Sequence, residues 1–267
     1  MSRIGVPWRP GRRVRLPEGF QVVHWRSQVL GMRMSLALYL PPGYHARSDR
    51  RYPVLYVLHG SGHDWRSVLL EVRPQDHITA LGSAILAIPD GNQGWWLNSP
   101  TVPRSQYGEY LMELVELVDR RCRTIAGRGA RGICGFSMGG YGAMLLAALY
   151  PATFGAASSL LGPLDILQMF PDYYRLRLLL GSERDTWQRF NPASLVQHLA
   201  ETQLSFCTAE DAPDLPQNES FASALRALHV PFQYHVYPGG HDTSFVRQHV
   251  GEHWTFHRRV FDQSIPG

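Results

Sequence analysis

The stretch Gly135-Phe136-Ser137-Met138-Gly139-Gly140 constrains this chain more than any other. It is a G-x-S-x-G sequence between an apolar run, Gly132-Ile133-Cys134, and a segment of helical spacing over residues 141–150. That order predicts a strand, a sharp turn and a helix, with a serine at the apex. Small flanking residues are needed where neighbouring chain passes close by. The turn strains the backbone at Ser137, exposes its hydroxyl and aims the following N–H, that of Met138, at an incoming carbonyl. Read without function, the same residues are a glycine-rich turn that packs a helix on a sheet.

The rest of the chain supplies a sheet for this turn. Residues 20–25 and 32–40 alternate apolar and polar and predict two antiparallel strands. Residues 53–58 and 84–89 are continuous apolar runs, as in parallel strands covered on both faces. Residues 107–121 carry helical apolar spacing at Leu111, Leu114, Val115 and Val118. Strands follow at 130–134, 154–161, 203–208 and 232–237, and helices at 194–200, 217–228 and 246–261. The expected fold class is α/β, a mostly parallel central sheet with two antiparallel N-terminal strands and helices on both faces. Residues 1–18, rich in Pro and Arg, read as an extended arm. Residues 163–190 break the alternation and read as a small insertion over the active site of a single domain, 1–267.

With 267 residues, 44% hydrophobic and 18% charged, the chain has ample material for one large core. The net charge of +4 comes from scattered arginines, with no lysine, and forms no nucleic-acid stripe. No apolar run reaches membrane-spanning length, and no signal-peptide core follows Met1. The three cysteines, Cys122, Cys134 and Cys207, show no metal spacing and are expected as free thiols in a reducing, cytoplasmic setting. No cofactor or metal is expected, and the partner is a small molecule.

A serine hydroxyl needs a base within hydrogen-bond reach, and the base needs an orienting acid. In open α/β sheets such groups gather at the carboxyl ends of strands. His241 follows Pro238-Gly239-Gly240 at the end of one strand and is the expected base. Among the twelve histidines, His59 and His63 lie in an early loop, and His249, His253 and His257 read as a half-exposed helix face. For the acid, Glu210, Asp211 and Asp214 compete, and Asp211 is placed where the strand should end. The oxyanion needs two preorganised donors. Met138 supplies one amide. Ser61, between Gly60 and Gly62 after the strand at 53–58, is expected to supply the second. Trp95 and Trp96, with Gly60, are expected to bind substrate.

These segments together resemble the esterase D family of α/β-hydrolases, which includes S-formylglutathione hydrolases, feruloyl and acetylxylan esterases, small-acyl esterases and mycolyltransferases. The resemblance rests on residues 51–60, Pro89-Asp90-Gly91, residues 135–143, Tyr150-Pro151 with Phe154-Gly155-Ala156, and Tyr237-Pro238-Gly239-Gly240-His241-Asp242. The order Ser137, Asp211, His241 is that of the α/β-hydrolase fold. The resemblance implies Ser137 as nucleophile, Asp211 as orienter, His241 as base, and Ser61 and Met138 amides as the oxyanion hole. Two departures concern the pocket walls: Thr243, Ser244 and Phe245 follow the His-Asp pair, and the acid strand reads Cys207-Thr208-Ala209-Glu210-Asp211. The expected function is a serine carboxylesterase for short-chain acyl esters. The alternatives are an acyltransferase of the mycolyltransferase kind, a feruloyl, acetylxylan or S-formylglutathione esterase, or a catalytically silent binding member of the fold.

Overall fold

The computed structural model describes residues 15–47 and 49–264, so most of the N-terminal arm lies outside the described residues. One sheet of eight strands organises it, in the order β1-β2-β4-β3-β5-β6-β7-β8. β1 (Phe20–Arg26) and β2 (Arg33–Tyr39) pair antiparallel, and β2 pairs antiparallel with β4 (Ile85–Pro89). From β4 onward every pairing is parallel, through β3 (Val54–Leu58), β5 (Arg131–Phe136), β6 (Ala156–Leu160), β7 (Gln203–Ala209) and β8 (Gln233–Tyr237). All five residues of β3, of β4 and of β6 are buried, which is why β3 and β4 read as unbroken apolar runs and β6 as a run of small residues ending in Leu160.

Two layers of helices cover the sheet. On one face lie α1 (Tyr107–Arg121) and α2 (Met138–Leu149), whose side chains join the larger apolar core. α2 is buried on nearly all sides, as its lack of a polar face requires. The helical pieces of the insertion, α3 (Tyr174–Leu180) and α4 (Arg184–Arg189), pack on the same side through Leu176, Leu180 and Trp187. α5 (Leu215–Ala227) follows β7. The last helix, α6 (Thr243–Ser264), crosses the other face, where Phe245, Val246, Val250, Trp254 and Phe261 build the second core.

Two expectations need correction. Residues 194–200 form no continuous helix; short 3₁₀ turns, Pro192–Ser194 and Val196–Leu199, stand there instead. His249, His253 and His257 are not a half-exposed face, since their exposures are 6%, 4% and 0%. α6 lies flat on the sheet and presses these rings on the strands. His253 Nε2 meets Cys207 Sγ at 3.3 Å, and His257 Nε2 meets Ser158 Oγ at 2.8 Å. A pattern that counts histidine as polar cannot register such a contact.

The strand order also positions the site. The chain leaves β3 toward β4 on one side, then returns past β3 to β5 and continues to β6 on the other. The loops after β3 and β5 therefore diverge, opening a crevice at the carboxyl ends of the two central strands. Register pairs Leu58 with Gly135, so the loop beginning at His59 and the turn at Ser137 stand side by side.

Candidate active site

Ser137 sits between β5 and α2 with φ 53° and ψ −123°, a conformation that L-residues seldom adopt. The glycines around it are required by close packing. A Cβ on Gly139 would lie 2.0 Å from the Leu58 carbonyl oxygen, and one on Gly135 would lie 2.2 Å from the Gly139 oxygen. The turn is thus wedged against β3, and the serine is pushed out over the sheet end.

Ser137 Oγ lies 2.9 Å from His241 Nε2. His241 follows the turn after β8, where Gly239 takes φ 131°. The other ring nitrogen, Nδ1, lies 2.6 Å from Asp214 Oδ1. The imidazole that fits both contacts carries its proton on Nδ1, donates to the carboxylate and accepts from the serine hydroxyl at Nε2. Asp214 is only 3% exposed; its Oδ2 accepts hydrogen bonds from Thr208 Oγ1 at 2.6 Å and from Asn218 Nδ2 at 3.0 Å. It also stands at the N-cap of α5, where the helix dipole favours an anion.

The carboxylate on His241 is therefore Asp214 and not Asp211. Asp211 is exposed, and its main-chain N–H donates to the Gly239 carbonyl, bracing the histidine loop. β7 ends at Ala209, one residue beyond the expected 203–208, and the chain makes a further turn before α5 begins, which carries Asp214 inward. The signal for it was present in the order Asp214-Leu215-Pro216, an acidic cap followed by proline in the first helical turn.

The second wall of the crevice is the loop after β3. Gly60 and Ser61 line a cavity of about 130 Å³ with Ser137 and His241, closed by His63, Phe136 and Leu161 and by Asp242, Thr243 and Val246. His59, fully buried, fastens this loop. The Gly91 N–H donates to His59 Nε2 at 2.8 Å, so the ring proton is on Nδ1, which donates to the Gly60 carbonyl at 2.8 Å. Burial lowers the pKa of this imidazole to about 4, which keeps it neutral and able to accept at Nε2. Both ring nitrogens are committed, and among the described residues no group of three or more His, Cys, Asp or Glu is placed to hold a metal. Met138 is the first residue of α2, so its N–H has no intrahelical acceptor. Ser61 N–H has no protein acceptor among the described residues.

Trp95 and Trp96 do not line this cavity. Trp96 has no exposed surface, donates its indole N–H to the His59 carbonyl at 3.2 Å and fills the space beside Gly91 and Gly142. Trp95 is 3% exposed and packs edge-on against Tyr141 and against Tyr173 of the insertion. The pair are posts under the site, because paired left-handed conformations (φ 53° and 56°) turn both rings into the core. The contacts that reasoning from sequence missed are His63, Gln93 and Arg175. Ser61 Oγ donates to Gln93 Oε1 at 2.7 Å, and Arg175 Nη1 donates to Ser61 Oγ at 2.6 Å. Arg175 comes from α3, more than a hundred positions away from Ser61 in sequence, and no local pattern announces it.

Comparison with known proteins places the chain among esterases. An esterase of Mycobacterium tuberculosis (Rv1288) is 26% identical over 249 residues, covering 81% of this chain and 54% of that protein. The chain thus spans about half the length of that relative. The S-formylglutathione hydrolase of Paracoccus denitrificans is 24% identical over 261 residues, covering 88% of this chain and 91% of that one. Among solved structures, the fluorophosphonate-binding serine hydrolase F of Staphylococcus aureus superposes with a TM-score of 0.80 at 19% identity, covering 90% of this chain and 98% of that one. The fold is that of the α/β-hydrolases. The family model named Esterase matches residues 27–253, most of the chain, and the protein belongs to the esterase family.

Proposed function

We propose that this protein is a serine carboxylesterase that hydrolyses short-chain acyl esters through an acyl-enzyme, with Ser137, His241 and Asp214 as its catalytic residues. The observation that carries this reading is the unbroken line of contacts, Ser137 Oγ to His241 Nε2 at 2.9 Å and His241 Nδ1 to Asp214 at 2.6 Å. His241 takes the serine proton as Oγ bonds to the ester carbonyl carbon. The carbonyl oxygen becomes an oxyanion facing the Ser61 and Met138 amides. His241 then hands its proton to the leaving alcohol, leaving the acyl group on Ser137. In the second half His241 takes a proton from water, whose oxygen attacks the acyl carbon, and returns it to Ser137 as the acid departs. Asp214 holds the ring in the required tautomer and stabilises the imidazolium formed in each half.

A cavity of about 130 Å³ accommodates an acyl group of a few carbons, close to the benzene-sized guests held by apolar cavities of comparable volume. The chain acts as one domain whose insertion, residues 163–190, contributes Arg175 to the site. The three free cysteines fit a reducing, cytoplasmic setting, and burial pushes the Cys134 thiol up to about 12, so it takes no part in chemistry. Among the described residues no helix is long and apolar enough to cross a membrane.

The test is a series of p-nitrophenyl esters with acyl chains of increasing length, together with labelling by a fluorophosphonate. Wild type should label at Ser137 and prefer short acyl groups; Ser137→Ala should lose labelling and several powers of ten in turnover. Full turnover by Ser137→Ala would overturn the reading. A preference for chains beyond roughly ten carbons would overturn the short-acyl assignment.

A further inference from the structure

Arg175 is a cation whose protein partners are neutral. Its Nη1 donates to Ser61 Oγ at 2.6 Å and to Gln93 Oε1. Among the described residues no carboxylate lies within 4.0 Å of its guanidinium, although it is half-buried. A structural arginine in such a position ordinarily meets an acid, because a desolvated charge is costly without one. The two bonds that exist use only one end of the group. They pin it over the loop that carries the Ser61 amide, and they leave the edge formed by Nε–H and Nη2–H without a protein acceptor. That edge is the planar two-pronged donor that matches the two oxygens of a carboxylate.

The location gives this edge a purpose. Ser61 lines the cavity that holds Ser137 and His241, so the guanidinium lies one side chain away from the reacting ester. The carboxylate on the cavity wall is Asp242, fixed by hydrogen bonds from Ser244 Oγ at 2.5 Å and from Phe245 N–H at 3.0 Å. Asp242 repels an anion and Arg175 attracts one, so a substrate with a carboxylate has one favoured place to put it.

We propose that Arg175 is a specificity-determining residue that binds a carboxylate on the substrate, so that the preferred esters carry an acidic group in either the acyl or the alcohol part. This rests on the esterase reading above. The fixed cluster of Ser61, Gln93 and Arg175 ties recognition to the oxyanion loop, since a carboxylate seated on the fork holds the guanidinium against Ser61.

Two pairs of substrates test it. For the alcohol side, 4-acetoxybenzoate is compared with neutral 4-acetoxybenzamide. For the acyl side, 4-nitrophenyl hydrogen adipate is compared with 4-nitrophenyl hexanoate. The quantity read is the ratio of kcat/KM for the acid over its neutral partner within one enzyme, which cancels any general loss of activity. Wild type should favour the acid in at least one pair, with the preference falling as salt is added. Arg175→Gln, which keeps an amide donor for Ser61, should lower that ratio by about 10- to 100-fold, mainly through KM, as expected for a charge-assisted pair of bonds. Arg175→Lys keeps the charge but not the fork and should fall between. A wild-type ratio at or below one in both pairs, or a ratio unchanged in Arg175→Gln, overturns the proposal. Fluorophosphonate labelling and p-nitrophenyl acetate turnover are followed in parallel: if they persist while the ratios are flat, only the Arg175 assignment fails, and if both are absent, the esterase reading falls with it.

Discussion

Acidification should destabilise this protein well above the pH at which its carboxylates titrate. Burial holds His59 down to about 4 and His253 down to about 3, and it places His257 well below the ordinary value. His59 and His253 are neutral in the folded protein at pH 5, and burial disfavours the charged form of His257 as well, whereas in the unfolded chain a histidine titrates near 6.5. The unfolded state therefore binds more protons, and stability is complete above about pH 6.5 and declines as pH falls below it. At pH 5 His59 and His253 each favour the unfolded state by about RT ln(1 + 10^1.5), or roughly 2 kcal/mol. His59 and His253 together remove about 4 kcal/mol, and His257 adds to it with the same sign, against a total stability of about 5–15 kcal/mol. Carboxylates held low, such as Asp64 and Glu252, add their loss only at lower pH, while Asp90, raised by burial, works in the opposite direction, so the comparison with a histidine variant is what isolates the imidazole. Urea denaturation followed by tryptophan fluorescence across that window should show the midpoint falling steadily below pH 6.5. His253→Gln, whatever its effect at pH 7.5, should flatten the fall by about 2 kcal/mol at pH 5. A midpoint constant from pH 7.5 to 5, or a fall of equal size in His253→Gln, would refute the reasoning.

Two further outcomes follow from the site. Asp214→Asn should cost about 10³–10⁴-fold in kcat while leaving fluorophosphonate labelling slow but specific to Ser137, and Asp211→Asn should stay within a few-fold of wild type. The reverse ranking in a p-nitrophenyl acetate assay would restore Asp211 as the acid. Gly139→Ala would press a methyl to 2.0 Å from the Leu58 carbonyl and should lower stability by about 1–3 kcal/mol and turnover with it, because the turn must lift away from β3. Unchanged melting and turnover in that variant would show that the wedge against β3 is not what holds Ser137.

Much of this protein is legible along the chain because the relevant forces act locally. Apolar runs that must be covered on both faces give β3 and β4 away, and the requirement for small residues around a strained serine gives away the turn at Ser137. His241 is legible for the same reason, since paired glycines after a strand release the chain at the sheet end. The acid was not. Asp211 and Asp214 differ by three positions, and only the extra turn before α5 decides which carboxylate faces His241 and which faces water.

What the sequence determined by itself is the sheet, the strained turn at Ser137 and the glycine-released histidine at the sheet end, each encoded within a few neighbouring residues. What tertiary structure alone decided is everything that depends on where distant segments meet. It turned Trp95 and Trp96 into posts under the site, buried the α6 histidines against β6 and β7, and brought Arg175 from the insertion onto Ser61. Periodicity and turn chemistry report on backbone conformation over one turn or one strand. A buried imidazole, a chosen carboxylate or a guanidinium held on a distant loop is fixed by packing between elements, and that exists only once the chain has folded.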